Sequence, residues 1–170
     1  EPLPADNWPI VSASAVPYFP DSQVPREMDR RDMDRVRDDF VRAAQMAEQA
    51  GFDLLELHVA HGYLLASFLS PESNRRDDEY GGDLDGRLRF PLQVLDAVRA
   101  AWPEEQLLAV RLNVMDGTRH GLKLPDGIAI ARELAAHGCG LVHVVAGQTV
   151  PEAPMADYRR GFLTPLADRV

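Results

Sequence analysis

Apolar residues in this chain alternate between two kinds of spacing, one typical of helices and one typical of buried strands. Over residues 30–50, 84–102 and 126–136 they recur every three or four positions with charged residues between them, which predicts amphipathic helices. Gly51 and Gly138 follow the first and the last of these and fit the left-handed turn that ends a helix. We expect the first helix to pack on the strand that follows it, through an apolar stripe made of Met33, Val36, Phe40, Ala43, Ala44 and Ala47.

Short apolar runs separate these helices and predict strands over residues 53–58, 107–113 and 141–145. Strands rich in Leu and Val that alternate with amphipathic helices are typical of a parallel sheet covered by helices. The predicted fold class is therefore α/β, with parallel strands joined by right-handed crossovers. A closed (β/α)8 TIM barrel takes eight βα units and about 250 residues, so these roughly three βα units predict a partial TIM barrel.

The two ends of the chain differ from this regular centre. Residues 1–29 contain several prolines and a polar stretch, which predicts an N-terminal loop segment, and residues 30–170 then form the partial TIM-barrel domain. The last residues, 164–170, look like the start of another helix. We therefore expect the central βα units of a longer protein. The outer strands would leave unpaired edges, through which copies could form a homo-oligomer.

Composition narrows the range of partners. With 45% hydrophobic and 26% charged residues, the chain of 170 residues resembles a globular protein with one sizeable core. The net charge of −9 argues against a nucleic-acid partner, and no run approaches the roughly 18 apolar residues that span a membrane. The N-terminus lacks a signal-peptide pattern, and the single Cys139 has no disulfide partner within the chain. Both features favour a cytoplasmic location.

The stretch from His58 to Tyr63 concentrates groups that donate protons and hydrogen bonds. The imidazoles of His58 and His61 and the phenol of Tyr63 come where the predicted strand 53–58 ends. In parallel α/β proteins the carboxyl ends of the strands form the rim where substrates bind, so these are the candidate catalytic and substrate-binding residues. Other interpretations are hydrogen-bonded structural histidines, a packed aromatic ring, or a zinc site on the His-x-x-His spacing.

A cation inside the predicted strand 107–113 is a further candidate. Arg111 lies between Val110 and Leu112, where an unpaired buried charge is costly, so we expect an anion close to it. A structural ion pair would also account for this arginine. The charged run at residues 75–79 is interpreted as an ion-paired loop.

Between residues 50 and 90 the chain carries a dense set of motifs. They are Ala50-Gly51-Phe52-Asp53, His58-Val59-Ala60-His61-Gly62-Tyr63-Leu64, Phe68-Leu69-Ser70-Pro71, Ser73-Asn74-Arg75-Arg76 and Asp78-Glu79-Tyr80-Gly81-Gly82. Together they resemble the Old Yellow Enzyme family of FMN-dependent ene-reductases, which are (β/α)8 barrels. Weaker similarity extends over residues 25–28, 110–112 and 142–147. Within the family, residues 12–17 and 147–150 are most similar to the reductase module of salicylyl-CoA 5-hydroxylase-type fusions.

The resemblance implies an FMN-dependent enzyme that uses NAD(P)H to reduce an electron-poor alkene, an α,β-unsaturated carbonyl or acyl-thioester compound. In this family the reduced flavin delivers hydride to the alkene while the carbonyl oxygen gains negative charge. By resemblance, His58 and His61 hydrogen-bond that oxygen and Tyr63 donates the proton to the other alkene carbon. The resemblance implies that Arg111 and His58 bind the cofactor. The expected partner is a small-molecule substrate that carries the electron-poor alkene.

Some features depart from the family pattern or would lie beyond the chain. The family's flavin phosphate site follows the last two barrel strands, which would come after Val170, so we expect this chain alone to hold no FMN. Gly86, in the opening turn of the helix 84–102, is expected to weaken it. Residues 113–117 differ from the family's usual loop. The alternatives are an inactive barrel fragment that acts as a scaffold, and a metal-dependent barrel lyase that uses His58 and His61.

Overall fold

A computed structural model describes residues 7–151 and 160–170. Its helices are α1 (Arg30–Gln49), α2 (Leu64–Leu69), α3 (Leu84–Ala101), α4 (Leu124–Ala136) and α5 (Thr164–Ala167). Its strands are β1 (Val11–Ser12), β2 (Arg26–Glu27), β3 (Leu54–Val59), β4 (Leu107–Asn113) and β5 (Leu141–Val145). The predicted helices and strands between residues 30 and 145 are confirmed with small shifts at their ends, and α2 is an addition.

Strands β3, β4 and β5 form a parallel sheet in that order, so strands that are consecutive along the chain are neighbours in the sheet. Helices α2 and α3 connect β3 to β4, and α4 connects β4 to β5. The register places His58 opposite Arg111 and Arg111 opposite His143. This alternation of parallel strands and helices confirms the predicted partial α/β barrel, with β3 and β5 as the outer strands of this sheet.

Helix α1 begins where its sequence provides a cap. The Asp29 carboxylate accepts a hydrogen bond from the N–H of Asp32, and the Asp32 carboxylate accepts one from the N–H of Asp29. This reciprocal pair satisfies backbone donors that a helix start leaves free. Arg26 Nη1 lies 2.6 Å from Asp32 Oδ2, and this hydrogen bond is the main reason that the pKa of Asp32 falls to about 2. The residues before α1 are thereby tied to its first turn.

The prediction that α1 packs on the strand that follows it is wrong, because α1 packs mainly along α3. Helix α2 contacts β3 and α3 instead. Of the predicted apolar stripe, Ala43 is exposed, while Met33 and Ala44 are buried. Periodicity thus identified the apolar face of α1 but not the element that covers it.

Helix α2 is six residues long, too short to show a helical repeat in its sequence. Its residues from Leu65 to Leu69 are all buried and, apart from Ser67, are apolar, so the run carries no amphipathic signal. The N-cap of this helix is Tyr63. The start of α2 therefore fixes the backbone position of Tyr63, one of the candidate site residues.

Within the predicted N-terminal loop segment, the structure has the short strands β1 and β2, which pair in parallel. Residues 1–6 of that segment lie outside the described residues. Ala13 and Met28 are buried in the core beside these strands. Arg76 Nη1 donates hydrogen bonds to the carbonyls of Ala13 (2.9 Å) and Met28 (2.8 Å), which fastens the segment to the loop before α3.

Gly86 has a packing role that its sequence context did not indicate. A Cβ at this position would lie 2.1 Å from the carbonyl oxygen of Gly81. The N–H of Gly86 also donates to Asp83 Oδ1 at 2.9 Å, which caps α3. The expectation that Gly86 weakens α3 therefore left out a close approach that only glycine permits.

The single cysteine of the chain, Cys139, is buried just before β5. Its Sγ donates a hydrogen bond to the carbonyl of Leu141 at 3.1 Å, and burial raises the pKa of the thiol. Among the helices of residues 7–151 and 160–170, none has both the length and the apolar character needed to cross a membrane.

Candidate active site

The three side chains of the predicted site lie together where β3 ends. His58 belongs to β3, His61 lies in the turn after it, and Tyr63 caps α2. The ring centroids of His58 and His61 are 5.1 Å apart, and those of His58 and Tyr63 are 5.3 Å apart. Tyr63 is 64% exposed, and both imidazoles are partly buried. The structure thus brings the two imidazoles and the phenol to one place at the carboxyl end of a parallel strand.

The backbone of the turn between β3 and α2 is unusual. His61 has φ 58° and Gly62 has φ 71°, so two consecutive residues adopt the left-handed conformation. For a residue with a Cβ such as His61, this conformation costs about 1 kcal/mol or more and persists only when the surroundings hold it. A Cβ added to Gly62 would lie 3.1 Å from the carbonyl oxygen of Thr149, so the loop after β5 packs closely on this turn.

A row of polar side chains crosses the sheet beside this turn. His58, Arg111 and His143 occupy neighbouring register positions on β3, β4 and β5. Arg111 Nε lies 3.6 Å from Glu56 Oε1, and both side chains are about one-third exposed, at 34% and 32%. The expectation of an anion close to Arg111 is confirmed, and that anion is Glu56.

His143 completes this group, although its sequence position alone did not mark it. Its Nδ1 lies 3.0 Å from Glu56 Oε2 and 3.3 Å from Arg111 Nε. These contacts are alternatives, because Nδ1 donates to Glu56 in one tautomer and accepts from Arg111 in the other. Period-two alternation along a strand places Glu56 and His58 on one face, and the same rule applied to the strands beside it is the signal that could have found His143.

Both site histidines have a lowered pKa. Burial is the main cause for each, and the positive charge of Arg111 adds to it for His58. For His61 the neighbouring imidazole of His58 is the next cause, followed by Arg111. Since both values lie below 6.5, the two rings are uncharged at neutral pH. An uncharged imidazole offers one N–H donor and one acceptor, which suits hydrogen bonding to an oxygen atom of a neutral ligand.

A cavity of about 650 Å³ borders the ring cluster. Tyr63 lines this cavity and also lies beside His58, so it is the group that the cavity and the cluster share. The other walls come from the N-terminal segment and from the loop after β5, with lining residues that include Val11, Val16, Tyr18, Phe19 and Thr149. This volume falls within the roughly 300–1,000 Å³ typical of small-molecule sites.

The polar row fits one edge of a flavin ring. The pyrimidine edge of a flavin presents oxygen and nitrogen acceptors and gains negative charge on reduction. Arg111 offers a permanent cation with several N–H donors, and His58 lies next to it in the register. The chemistry of these donors is therefore compatible with the role that the resemblance implies for Arg111 and His58, and that role stays a prediction.

Two other sequence interpretations can be compared with the structure. Among residues 7–151 and 160–170, no group of three or more His, Cys, Asp or Glu side chains is arranged to hold a metal ion. In the charged run at residues 75–79, Arg76 pairs with Asp78 at 2.5 Å, and Glu79 lies 3.5 Å from Arg30. The interpretation of that run as an ion-paired loop is confirmed.

The fold and the side-chain geometry together define a segment of an α/β barrel with a candidate ligand site at the carboxyl rim of its strands. A model of the NADH:flavin oxidoreductase / NADH oxidase family matches residues 4–157. The chain belongs to this family. Membership implies FMN as cofactor and NAD(P)H as reductant of the full-length protein, as predicted.

Curated relatives agree with this assignment. The NADPH dehydrogenase of Geobacillus sp. (strain WCH70) is 38% identical over 161 residues, which cover 95% of this chain and 46% of that protein. The NADPH dehydrogenase of Listeria monocytogenes serotype 4a (strain HCC23) has the same identity and coverage. The chain thus spans about half the length of the curated relatives it matches.

Solved structures give the same result. A 2-naphthoyl-CoA reductase in complex with 2-naphthoyl-CoA has a TM-score of 0.82 and 29% identity, covering 95% of this chain and 25% of that one. The old yellow enzyme homologue from Zymomonas mobilis has a TM-score of 0.76 and 27% identity, covering 96% and 48%. Morphinone reductase in complex with tetrahydroNAD has a TM-score of 0.72 and 28% identity, covering 95% and 47%. The resemblance to Old Yellow Enzymes is confirmed.

Proposed function

We propose that the protein to which this chain belongs is an FMN-dependent oxidoreductase that uses NAD(P)H to reduce the C=C bond of an α,β-unsaturated carbonyl or acyl-thioester compound. The observation that carries the proposal is the convergence of two imidazoles and one phenol, with centroid separations of 5.1 and 5.3 Å, beside a cavity at the carboxyl rim. FMN, when bound, supplies hydride to the alkene after accepting it from NAD(P)H. Family membership favours this proposal over a metal-dependent lyase.

In this proposal His58 and His61 hold the carbonyl oxygen of the substrate. Their lowered pKa values keep both rings uncharged at neutral pH, so each can donate one N–H to that oxygen. Negative charge grows on this oxygen as the alkene is reduced, and two fixed donors stabilise it more strongly than they stabilise the neutral substrate. Removal of one such donor in an oxyanion site costs about 3 kcal/mol of transition-state stabilisation.

Tyr63 is the proposed proton donor. Its ring lies beside that of His58 and lines the cavity, so a substrate whose oxygen is bound by the imidazoles would extend past the phenol. A neutral phenol O–H can protonate a carbon that carries developing negative charge, because that carbon is much more basic than a phenolate. Arg111, with Glu56 beside it, is proposed to hold the cofactor's pyrimidine edge together with His58.

The most specific part of the proposal is the substrate class, an electron-poor alkene conjugated to a carbonyl or acyl-thioester group. The alignment with 2-naphthoyl-CoA reductase covers 95% of this chain and 25% of the reductase, whose structure contains the acyl thioester 2-naphthoyl-CoA, and this supports that substrate class. The cavity, at about 650 Å³, offers room for a group larger than a simple enone. Association of copies through the outer strands stays a prediction.

The test uses Tyr63→Phe in the intact, FMN-loaded protein, with Tyr18→Phe as matched control because Tyr18 also lines the cavity. We expect Tyr63→Phe to slow the reduction of an enone substrate by about 100-fold, the usual worth of a general acid. Oxidation of NAD(P)H in the other half-reaction should be nearly unchanged, because no proton passes through Tyr63 there. Stopped-flow kinetics separate the two half-reactions. Equal slowing of both by Tyr63→Phe, or an equal loss in Tyr18→Phe, would remove Tyr63 from the donor role.

A further inference from the structure

A buried chain of hydrogen bonds joins the loops that follow β3, β4 and β5. Its centre is Asp116, whose carboxylate is buried after β4. Asp116 Oδ1 accepts from the Thr149 hydroxyl at 2.6 Å, and Oδ2 accepts from the Ser70 hydroxyl at 2.6 Å and from the N–H of Leu122 at 2.7 Å. Ser70 follows α2 and Thr149 follows β5, so a single carboxylate connects all three loops.

Asn113, the last residue of β4, continues this chain toward the ring cluster. Its Nδ2 donates to the carbonyl of Gly147 at 2.7 Å and to the Thr149 hydroxyl at 2.9 Å. Its Oδ1 accepts from the backbone N–H of His61 at 3.3 Å. Asn113 and Thr149 are both buried, so their polar atoms depend on these partners.

The orientation of the polar groups in this series of hydrogen bonds follows from the groups that can only accept. A carboxylate only accepts hydrogen bonds, so the hydroxyl hydrogen of Thr149 points to Asp116 and its oxygen is left to accept from Asn113. The carbonyl of Gly147 also only accepts, so the amide nitrogen of Asn113 must face both groups. Its oxygen therefore faces the N–H of His61. The orientation of the Asn113 amide is thus set jointly by the carbonyl of Gly147 and by Asp116 through Thr149.

The end point of the chain is the strained residue of the site. His61 is held at φ 58°, and the hydrogen bond from its N–H to Asn113 is a contact that fixes its backbone from outside the turn. Backbone strain of this kind persists when neighbouring groups hold it in place. A rotation of this backbone would change the position of the His61 ring relative to that of His58, whose centroid lies 5.1 Å away.

We propose that Asn113, Thr149 and Asp116 are positioning residues that set the direction of the His61 imidazole, and with it the pair of donors formed with His58. The inference rests on the proposed role of the two histidines. Because the Thr149 hydroxyl both donates to Asp116 and accepts from Asn113, its loss removes one of the two acceptors that orient the Asn113 amide and breaks the link to Asp116. Valine retains the shape of the side chain.

The experiment compares Thr149→Val with Thr149→Ser in the intact FMN-loaded protein. Valine keeps the shape of threonine without its hydroxyl, and serine keeps the hydroxyl without the methyl group. The probe is 4-nitrophenol, whose phenolate oxygen imitates the negatively charged substrate oxygen and whose absorbance reports binding. We expect Thr149→Val to raise the dissociation constant about tenfold or more, since small displacements of a positioned group cost up to about 100-fold. Thr149→Ser should stay within about twofold of the unsubstituted protein, because the hydrogen bonds that position the group survive.

A second measurement reports His61 directly. In protein with isotope-labelled histidine, Thr149→Val should shift the imidazole resonances of His61, and Thr149→Ser should not. If Thr149→Val does not yield folded FMN-loaded protein, Asn113→Asp takes its place, because it keeps the shape and turns a donor into an acceptor facing Gly147. Equal 4-nitrophenol binding in the valine or aspartate variant and in the unsubstituted protein, with unmoved His61 resonances, overturns the inference. Failure of the unsubstituted protein to bind 4-nitrophenol would instead refute the proposed role of the histidines, and the inference with it.

Discussion

Gly86→Ala tests whether the close approach of α3 to the loop before it stabilises the fold. Intrinsic helix propensity alone favours the substitution, because alanine in a helix is about 1 kcal/mol better than glycine. The structure opposes it, because the added Cβ would lie 2.1 Å from the carbonyl oxygen of Gly81. The two effects have opposite signs, so the measured direction decides between them.

The magnitude follows from how far the main chain would have to move. The gap must open by about 1.3 Å, the difference between 2.1 Å and the 3.4 Å at which ordinary contact begins. The loop cannot easily yield, because Gly81 is itself packed on Arg76, where a Cβ would lie 2.2 Å from the carbonyl oxygen. Overpacking of this kind costs about 1–3 kcal/mol, and displacement of Gly86 from its hydrogen bond with Asp83 costs about 1 kcal/mol more. After the gain of about 1 kcal/mol in helix propensity is subtracted, we expect a net loss of stability of about 2 kcal/mol.

The assay is urea unfolding of the intact protein, followed by circular dichroism, with the midpoint compared at a constant slope. The matched control is Gly82→Ala, four residues earlier, where φ is 72° and no atom lies within 4 Å of the added Cβ. That change should cost only the left-handed conformation, about 1 kcal/mol. A Gly86→Ala protein as stable as the unsubstituted one, or a Gly82→Ala protein that loses as much, would refute the packing argument.

Two other predictions concern charge. Burial lowers the pKa of His58 and His61 in the folded protein, whereas a histidine in the unfolded chain keeps its ordinary pKa of 6.5. As the pH drops through 6.5, the unfolded chain therefore binds more protons than the folded protein. The free energy of unfolding should fall over this range. Urea titrations at several pH values should show a flatter profile there in the His58→Gln, His61→Gln double variant, and an unaltered profile would contradict the lowered pKa values. Arg76→Lys should lose about 2–3 kcal/mol of stability, because lysine cannot reproduce the guanidinium's bonds to two buried carbonyls and to Asp78. Substitution of the exposed Arg75 by Lys should change the free energy of unfolding by no more than about 0.5 kcal/mol in the same assay. Equal losses at the two positions would show that the hydrogen bonds of the Arg76 guanidinium do not stabilise this loop.

The sequence predicted best those elements that are long enough for their burial to show in the spacing of apolar residues. Strand β4 is apolar except for Arg111 and Asn113, because most of its residues are buried, and both of its ends were predicted correctly. Helix α1 alternates apolar and charged positions because only one side is covered. Helix α2 was missed for the opposite reason: six residues buried on nearly every side carry no periodic signal. What periodicity could not supply is the partner of a face, which is why α1 was placed on β3 rather than on α3.

For the candidate site, the residue types and their position after a strand were sufficient to select His58, His61 and Tyr63. Their convergence depends on left-handed dihedral angles at His61 and Gly62, and no local pattern in the sequence specifies those angles for a histidine. Asn113 and Thr149 are 36 residues apart along the chain, and their hydrogen bond exists only because β4 and β5 are neighbours in the sheet. A polar residue at the carboxyl end of a mostly apolar strand was the available signal for Asn113.

The same packing that sets the register of the sheet also sets the geometry of the site. Val110 and Leu112 are fully buried on either side of Arg111, and they lie opposite Leu57 and Val59 of β3. A slip of β4 by one residue would turn these two apolar side chains toward the polar face and bury the guanidinium among them, at a cost of several kcal/mol. It would also carry Asn113 away from His61. The hydrophobic core therefore selects the one register in which Arg111 meets Glu56 and the three rim loops can share Asp116.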